Sequence, residues 1–97
     1  MPTYITLMRF TQQGVKNIKD SPTRLDAAKK AFKSAGGEMK HFYLTFGRYD
    51  GVIIAEHPDD ETAAKLALAT SSQGNVQTET FRAFTEDEFR KMVKSLP

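Results

Sequence analysis

Ninety-seven residues, 39% of them apolar and 27% charged, suffice for one domain with one core. The absence of cysteine excludes disulfides, thiolate nucleophiles and cysteine-based metal or iron–sulfur sites. A net charge of +2 is too small to point to nucleic acid, and no stretch reaches the ~18 apolar residues that a membrane span needs.

In chain order, Thr3–Phe10 is predicted as a strand, being bulky or β-branched and free of breakers. Thr11 to Ala35 is predicted helical. Val15, Ile18, Leu25, Ala28, Phe32 and Ala35 form one stripe that faces a sheet. Asp20-Ser21-Pro22 interrupts this stretch, and Ser21 as N-cap with Pro22 as first helical residue restarts it. Gly36-Gly37 ends it. Glu38–Phe46 and Val52–His57 read as two strands joined by the hairpin connection Gly47-Arg48-Tyr49-Asp50-Gly51. Val52, Ile53, Ile54 and Ala55 are apolar on both parities, as suits a central strand covered on both faces.

Pro58-Asp59-Asp60-Glu61 opens a second helix with its acidic residues at the positive end of the dipole. The broad stripe from Ala63 to Ala69 predicts burial on more than one side, and Gly74 stops the helix. Asn75–Phe84 is the fourth strand. Thr85-Glu86-Asp87-Glu88 is a capping box, and Phe89, Met92, Val93 and Leu96 give the final helix a stripe expected to dock on the body. The order βαββαβ plus a final helix predicts a single α+β domain over residues 1–97. Its fold class is ferredoxin-like: a four-stranded antiparallel sheet with helices on one face.

Such a sheet has one bare face. Strict alternation assigns to it Tyr4, Thr6, Met8, Phe10, His41, Tyr43, Thr45, Thr78, Thr80 and Arg82, which suit a small pocket or a wet interface between copies. His41, with Tyr43 or Arg82 nearby, is the candidate general base, although no carboxylate is placed to orient it. Arg48, Tyr49 and Asp50 are candidate ligand contacts: Arg48 for a carboxylate, Asp50 for an amine, Tyr49 for the body. The plainer reading is a hairpin in which Asp50 bonds backbone N–H groups. Glu56 and His57 point to opposite faces of a strand, so no metal pair is expected there. Ser21, Ser71 and Ser72 lack a nucleophile-elbow context, and the central third strand lacks the stacking aromatics of an RNA-recognition sheet.

Charge is unevenly distributed. Residues 1–48 carry nine Lys/Arg and three Asp/Glu, whereas residues 49–97 carry five and nine. A dipolar surface favours self-association; solvated helix faces are the simpler explanation. The start Met1-Pro2-Thr3-Tyr4 shows no secretory pattern, so the expected compartment is the cytoplasm.

Tyr4-Ile5-Thr6-Leu7, Asn17 to Arg24, Gly47-Arg48-Tyr49-Asp50, and Gly74 to Thr80 with Arg82-Ala83-Phe84 resemble the GYD-domain family over essentially the whole chain. The family has no settled function. The resemblance implies a dimeric α/β barrel, in which two ferredoxin-like sheets pack face to face. One departure is Gly51, where the family tends to carry an aliphatic residue. Thr45 to Asp50 and Gly74 to Thr80 also resemble, more loosely, the effector-binding domain of leucine-responsive regulators. That resemblance implies an amino-acid or small-carboxylate ligand near Arg48, Tyr49, Asp50, Thr78 and Thr80, at a contact between subunits. No helix-turn-helix is visible, so DNA binding is not carried over. The expected function is therefore a small-ligand-binding or sensory homo-oligomer, with no cofactor and no metal. The alternatives are a cofactor-independent enzyme, monooxygenase- or isomerase-like, using His41, Tyr43 or Arg82, and a structural assembly module.

Overall fold

The computed structural model describes residues 1–97. Its sheet is built outward from β1 (Thr3–Phe10), which pairs on one side with β3 (Gly51–Glu56) and on the other with β4 (Val76–Ala83). The remaining strand, β2 (Glu38–Leu44), lies beyond β3. The order is β2-β3-β1-β4 with every pair antiparallel. Between β1 and β2 run α1 (Gln12–Lys16), a short 3-10 turn (Ile18–Asp20) and α2 (Ser21–Ser34). α3 (Asp60–Ser72) connects β3 to β4, and α4 (Glu86–Lys94) follows β4. This is the ferredoxin-like α+β arrangement expected from the sequence.

Local chemistry accounts for most boundaries. The Asp59 carboxylate accepts from Thr62 N at 2.8 Å and starts α3. Both halves of the capping box at α4 form: Glu88 N donates to Thr85 Oγ1 at 3.2 Å, and Thr85 N donates to Glu88 Oε1 at 2.8 Å. Gly36, at φ 88°, ends α2. Ser21 is not the N-cap that its sequence context suggests. It is the first residue of α2, and its hydroxyl donates back to Ile18 O. The 3-10 turn already delivers the chain in helical geometry. Asp20, at φ −87° and ψ −5°, consequently occupies the cap position without a side-chain bond.

Strict alternation holds along β1 and β4, but the face it collects is the covered one, and this is the main correction to the sequence reading. Tyr4, Met8, Phe32, Ala55 and Ala63 form the buried apolar core, so the even-numbered side of β1 lies under α2 and α3. Register then places Thr6, Phe10, Thr78, Thr80 and Arg82 on that covered side as well. In β2 the register shifts between Met39 and His41, a bulge that resets the alternation. His41 and Tyr43, past the bulge, pair with Ile54 and Val52 and so lie on the open face as expected, with Ile5 and Leu7. Thr45 lies beyond the end of β2 and donates through its hydroxyl to Tyr49 O at 2.7 Å.

Gly51 is buried at the head of β3, and a Cβ there would stand 3.0 Å from Met8 Cγ. Met8 thus fills the space that an aliphatic side chain would take. The core is small: only nine residues are buried, and β3 is half-covered on its open side rather than enclosed on both. α3 is likewise covered on one side, with Ala63 buried and Leu68 70% exposed. α4 does not dock on the body. Phe89, Met92, Val93 and Leu96 all remain exposed, and the molecule is elongated, 52 × 31 × 18 Å.

Candidate functional site

The Gly47–Asp50 turn closes the β2–β3 hairpin at the end of the sheet where β1 finishes. Gly47 takes φ 111°, a conformation that L side chains rarely adopt. Thr45 N donates to Asp50 O at 2.9 Å, and Asp50 N donates to Met8 O at 2.8 Å. The Asp50 carboxylate accepts from Phe10 N at 2.9 Å. Asp50 is thus occupied in holding the last residue of β1, the simpler of its two sequence roles.

Tyr49 behaves differently. Its hydroxyl donates to Glu79 Oε2 at 2.7 Å, reaching over β1 to β4. The Arg9 guanidinium lies 4.9 Å from the centre of its ring, and that of Arg48 lies 6.0 Å away. Arg9 Nε also donates to Arg48 O at 2.9 Å. Register places Glu79 opposite Leu7, and Arg9 two residues further along the same side of β1. The cluster therefore lies at the margin of the open face. Neither arginine forms an ion pair with a carboxylate of the chain. With two guanidinium groups and one carboxylate, the cluster carries a surplus positive charge.

Arg48 and Tyr49 were readable from the turn; Arg9 and Glu79 were not. The detectable signal was their parity. Each shares a strand side with Leu7 or Ile5, so assigning Ile5 and Leu7 to the open face would have brought both into view. The turn and the start of β4 also meet within one chain, through Tyr49 and Glu79, and need no second subunit to do so.

Thr78, Thr80 and Arg82 gather elsewhere. They line a shallow groove of about 480 Å³ between β4 and α3, together with Tyr4 and Asp60. Thr6 and Thr80 share a hydroxyl hydrogen bond of 2.8 Å. Tyr4 donates to Asp60, and its phenol is pushed up to about 12, first by burial and then by the Asp60 carboxylate. Arg82 donates to Ala83 O and lies 4.4 Å from the centre of the Phe84 ring. His41 and Tyr43 stack on the open face with ring centres 6.1 Å apart, so Arg82, on the covered face, does not join them. His57 is buried between Tyr4 and Phe32, at 5.3 and 4.9 Å, and burial holds its imidazole below the ordinary 6.5. No three His, Asp or Glu side chains converge as a metal set. No helix is long and apolar enough to cross a membrane.

The GYD domain family model matches residues 4–93. The chain belongs to the GYD-domain family. A curated Thermus thermophilus protein, the glutamine synthetase and cystathionine beta-lyase binding protein, is 31% identical over 84 residues, covering 86% of this chain and 88% of that one. Among solved structures, a crystal structure of a Thermus thermophilus protein covers 88% of this GYD domain and 95% of its own chain, with 24% identity and a TM-score of 0.55. A feast or famine regulatory protein of Mycobacterium tuberculosis, complexed with L-methionine, aligns at a TM-score of 0.66 and 14% identity, over 88% of this chain and 51% of that chain. At these identities the structural matches establish the fold.

Proposed function

We propose that this GYD domain is a small-ligand-binding homo-oligomer, in which the open sheet faces of two copies pack together and a small carboxylate or amino acid binds at the Arg9–Arg48–Tyr49–Glu79 cluster. The observation that carries this reading is the pair of guanidinium groups converging on Tyr49, without a carboxylate partner, at the edge of an uncovered apolar sheet face. A carboxylate takes the arginines as a charge-assisted partner, and an ammonium group takes Glu79. Asp50 is committed to Phe10 N, so it serves as a support for this ligand set rather than a contact. Ile5, Leu7, Val52 and Ile54 give the second copy an apolar surface to bury. The methionine complex of a regulator with this fold supports the ligand class.

A second reading follows from the Thermus thermophilus relative, which is named as a binding protein of glutamine synthetase and cystathionine beta-lyase. Leu44, the last residue of edge strand β2, and Phe46 just beyond it, 72% and 100% exposed, offer such a partner a foothold. A thermal-shift screen of amino acids and small carboxylic acids, followed by sedimentation, separates the readings. A ligand that binds only the assembly raises melting temperature and average mass together. No response at millimolar concentration, with complex formation on adding purified glutamine synthetase, replaces the first reading by the second.

A further inference from the structure

Two apolar surfaces of this chain lack a partner, and neither belongs to the open sheet face. The first is a groove of about 360 Å³ between α2 and α3, floored by Met8, Phe10 and Val76 and walled by Leu25, Ala28 and Leu66. The second is the stripe of α4, where Phe89, Met92, Val93 and Leu96 are 59%, 41%, 50% and 67% exposed. α4 is nevertheless well made. It has a complete capping box and an Arg90–Glu86 pair at 2.8 Å, one turn apart. A helix that is capped and braced yet apolar along one face is built to be covered.

We propose that α4 of one copy docks in the α2–α3 groove of a second copy. Its own groove is out of reach. β4 ends at Ala83, which pairs with Thr3 at one end of β1, whereas Phe10 and Val76 pair at the other end. Those ends are ~23 Å apart along the strand. The connection Phe84–Thr85 and the length of α4 together span that distance only when laid straight along β4, the path that α3 occupies. α3, ~10 Å across, packs on β4 and stands between that connection and the groove.

Charge agrees with docking between copies. Arg24 on the groove wall has a backbone partner, Asn17 O at 3.2 Å, but no carboxylate. Glu86 and Glu88 precede Phe89 and Met92 by three and four residues and so border the stripe; Arg90 engages only Oε2 of Glu86 and Thr85 N only Oε1 of Glu88, which leaves an oxygen of each to meet that guanidinium. A helix laid in a groove through residues at i, i+3, i+4 and i+7 is a recurrent mode of recognition.

Because the chain has no cysteine, engineered thiols report the contact cleanly. Ala28→Cys and Val93→Cys proteins are purified separately, mixed and oxidised mildly. The expected result is a disulfide between chains, in a yield at least roughly tenfold above that for Lys30→Cys, on the outer side of α2, with Val93→Cys, since docking raises local concentration towards millimolar. Adding Phe89→Asp to the Val93→Cys chain should remove that excess while helix content by circular dichroism is kept. Equal yields at positions 28 and 30 would overturn the proposal. So would a disulfide formed only within one chain, in an Ala28→Cys/Val93→Cys double variant.

Discussion

On the covered face of the sheet, Tyr4 and Thr6 find their partners inside the chain, Tyr4 donating to Asp60 and Thr6 sharing a hydrogen bond with Thr80, whereas His57 Nδ1 is buried without one. On the open face, Arg9 and Arg48 gather over Tyr49 with no ion-pair partner and only Glu79 to offset their charge, and the aliphatic residues beside them have no helix packed above. Burying a polar group without a partner costs stability, so the monomer pairs Tyr4 and Thr6 internally and bears that cost at His57. The open face carries no such constraint, which leaves its chemistry available to a ligand and a second copy. In the proposed function, folding and ligand binding fall on opposite sides of one four-stranded sheet.

Substitutions on the two faces should separate these roles. Phe32→Ala, in the covered core, is expected to cost about 3–5 kcal/mol of unfolding free energy at any protein concentration, measured by denaturant titration. Ile54→Asp, on the open face, is expected to leave the folded chain intact and weaken self-association by roughly 10- to 100-fold, measured by sedimentation equilibrium. If Ile54→Asp unfolds dilute protein instead, the open face is part of the monomer's own core and the division fails.

Asp50 sharpens the contrast inside a single turn. Asp50→Ala strands the Phe10 N–H and is expected to lower stability by about 1–3 kcal/mol, with ligand affinity measured at saturating folded protein unchanged. A selective loss of ligand with full stability would make Asp50 a contact after all.

His57 supplies a smaller effect, confined to the covered face. Burial lowers its folded-state pKa below the 6.5 of the free side chain. Between those two values the unfolded chain binds a proton that the folded chain does not, so stability rises with pH there. The contribution is complete above about 6.5 and is lost as pH falls below it. Thermal melts from pH 7.5 down to 5.5 should show a declining midpoint in the wild type and a flatter profile in His57→Phe. An equal slope in both proteins would assign the decline to other groups.

The element order was legible because its signals are local. The glycines closing α2 and α3, the acidic start of α3 and the Thr85–Glu88 capping box all act within a few residues. Which side of β1 faces the helices was not legible. That depends on Tyr4 finding Asp60, 56 residues away, and on Met8 fitting over Gly51. The separation of His41 and Tyr43 from the Tyr4 set depends in turn on the β2–β3 register, which pairs them with Ile54 and Val52. The site suffered in the same way. Arg48 and Tyr49 sit in a recognisable turn, whereas Arg9 and Glu79 become neighbours only through the β1–β4 register. The stripe of α4 was visible, but a stripe says that a helix is to be covered and not by which chain.

The most direct test compares two arginines on opposite faces of the sheet. Arg9→Gln and Arg82→Gln are titrated by calorimetry with the best carboxylate from the thermal-shift screen, alongside the wild type. The expected result is an affinity loss of roughly tenfold or more in Arg9→Gln, from losing a charge-assisted contact, with Arg82→Gln close to wild type. Loss in Arg82→Gln with Arg9→Gln unaffected would move the site to the groove between β4 and α3 and contradict the assignment of function to the open face.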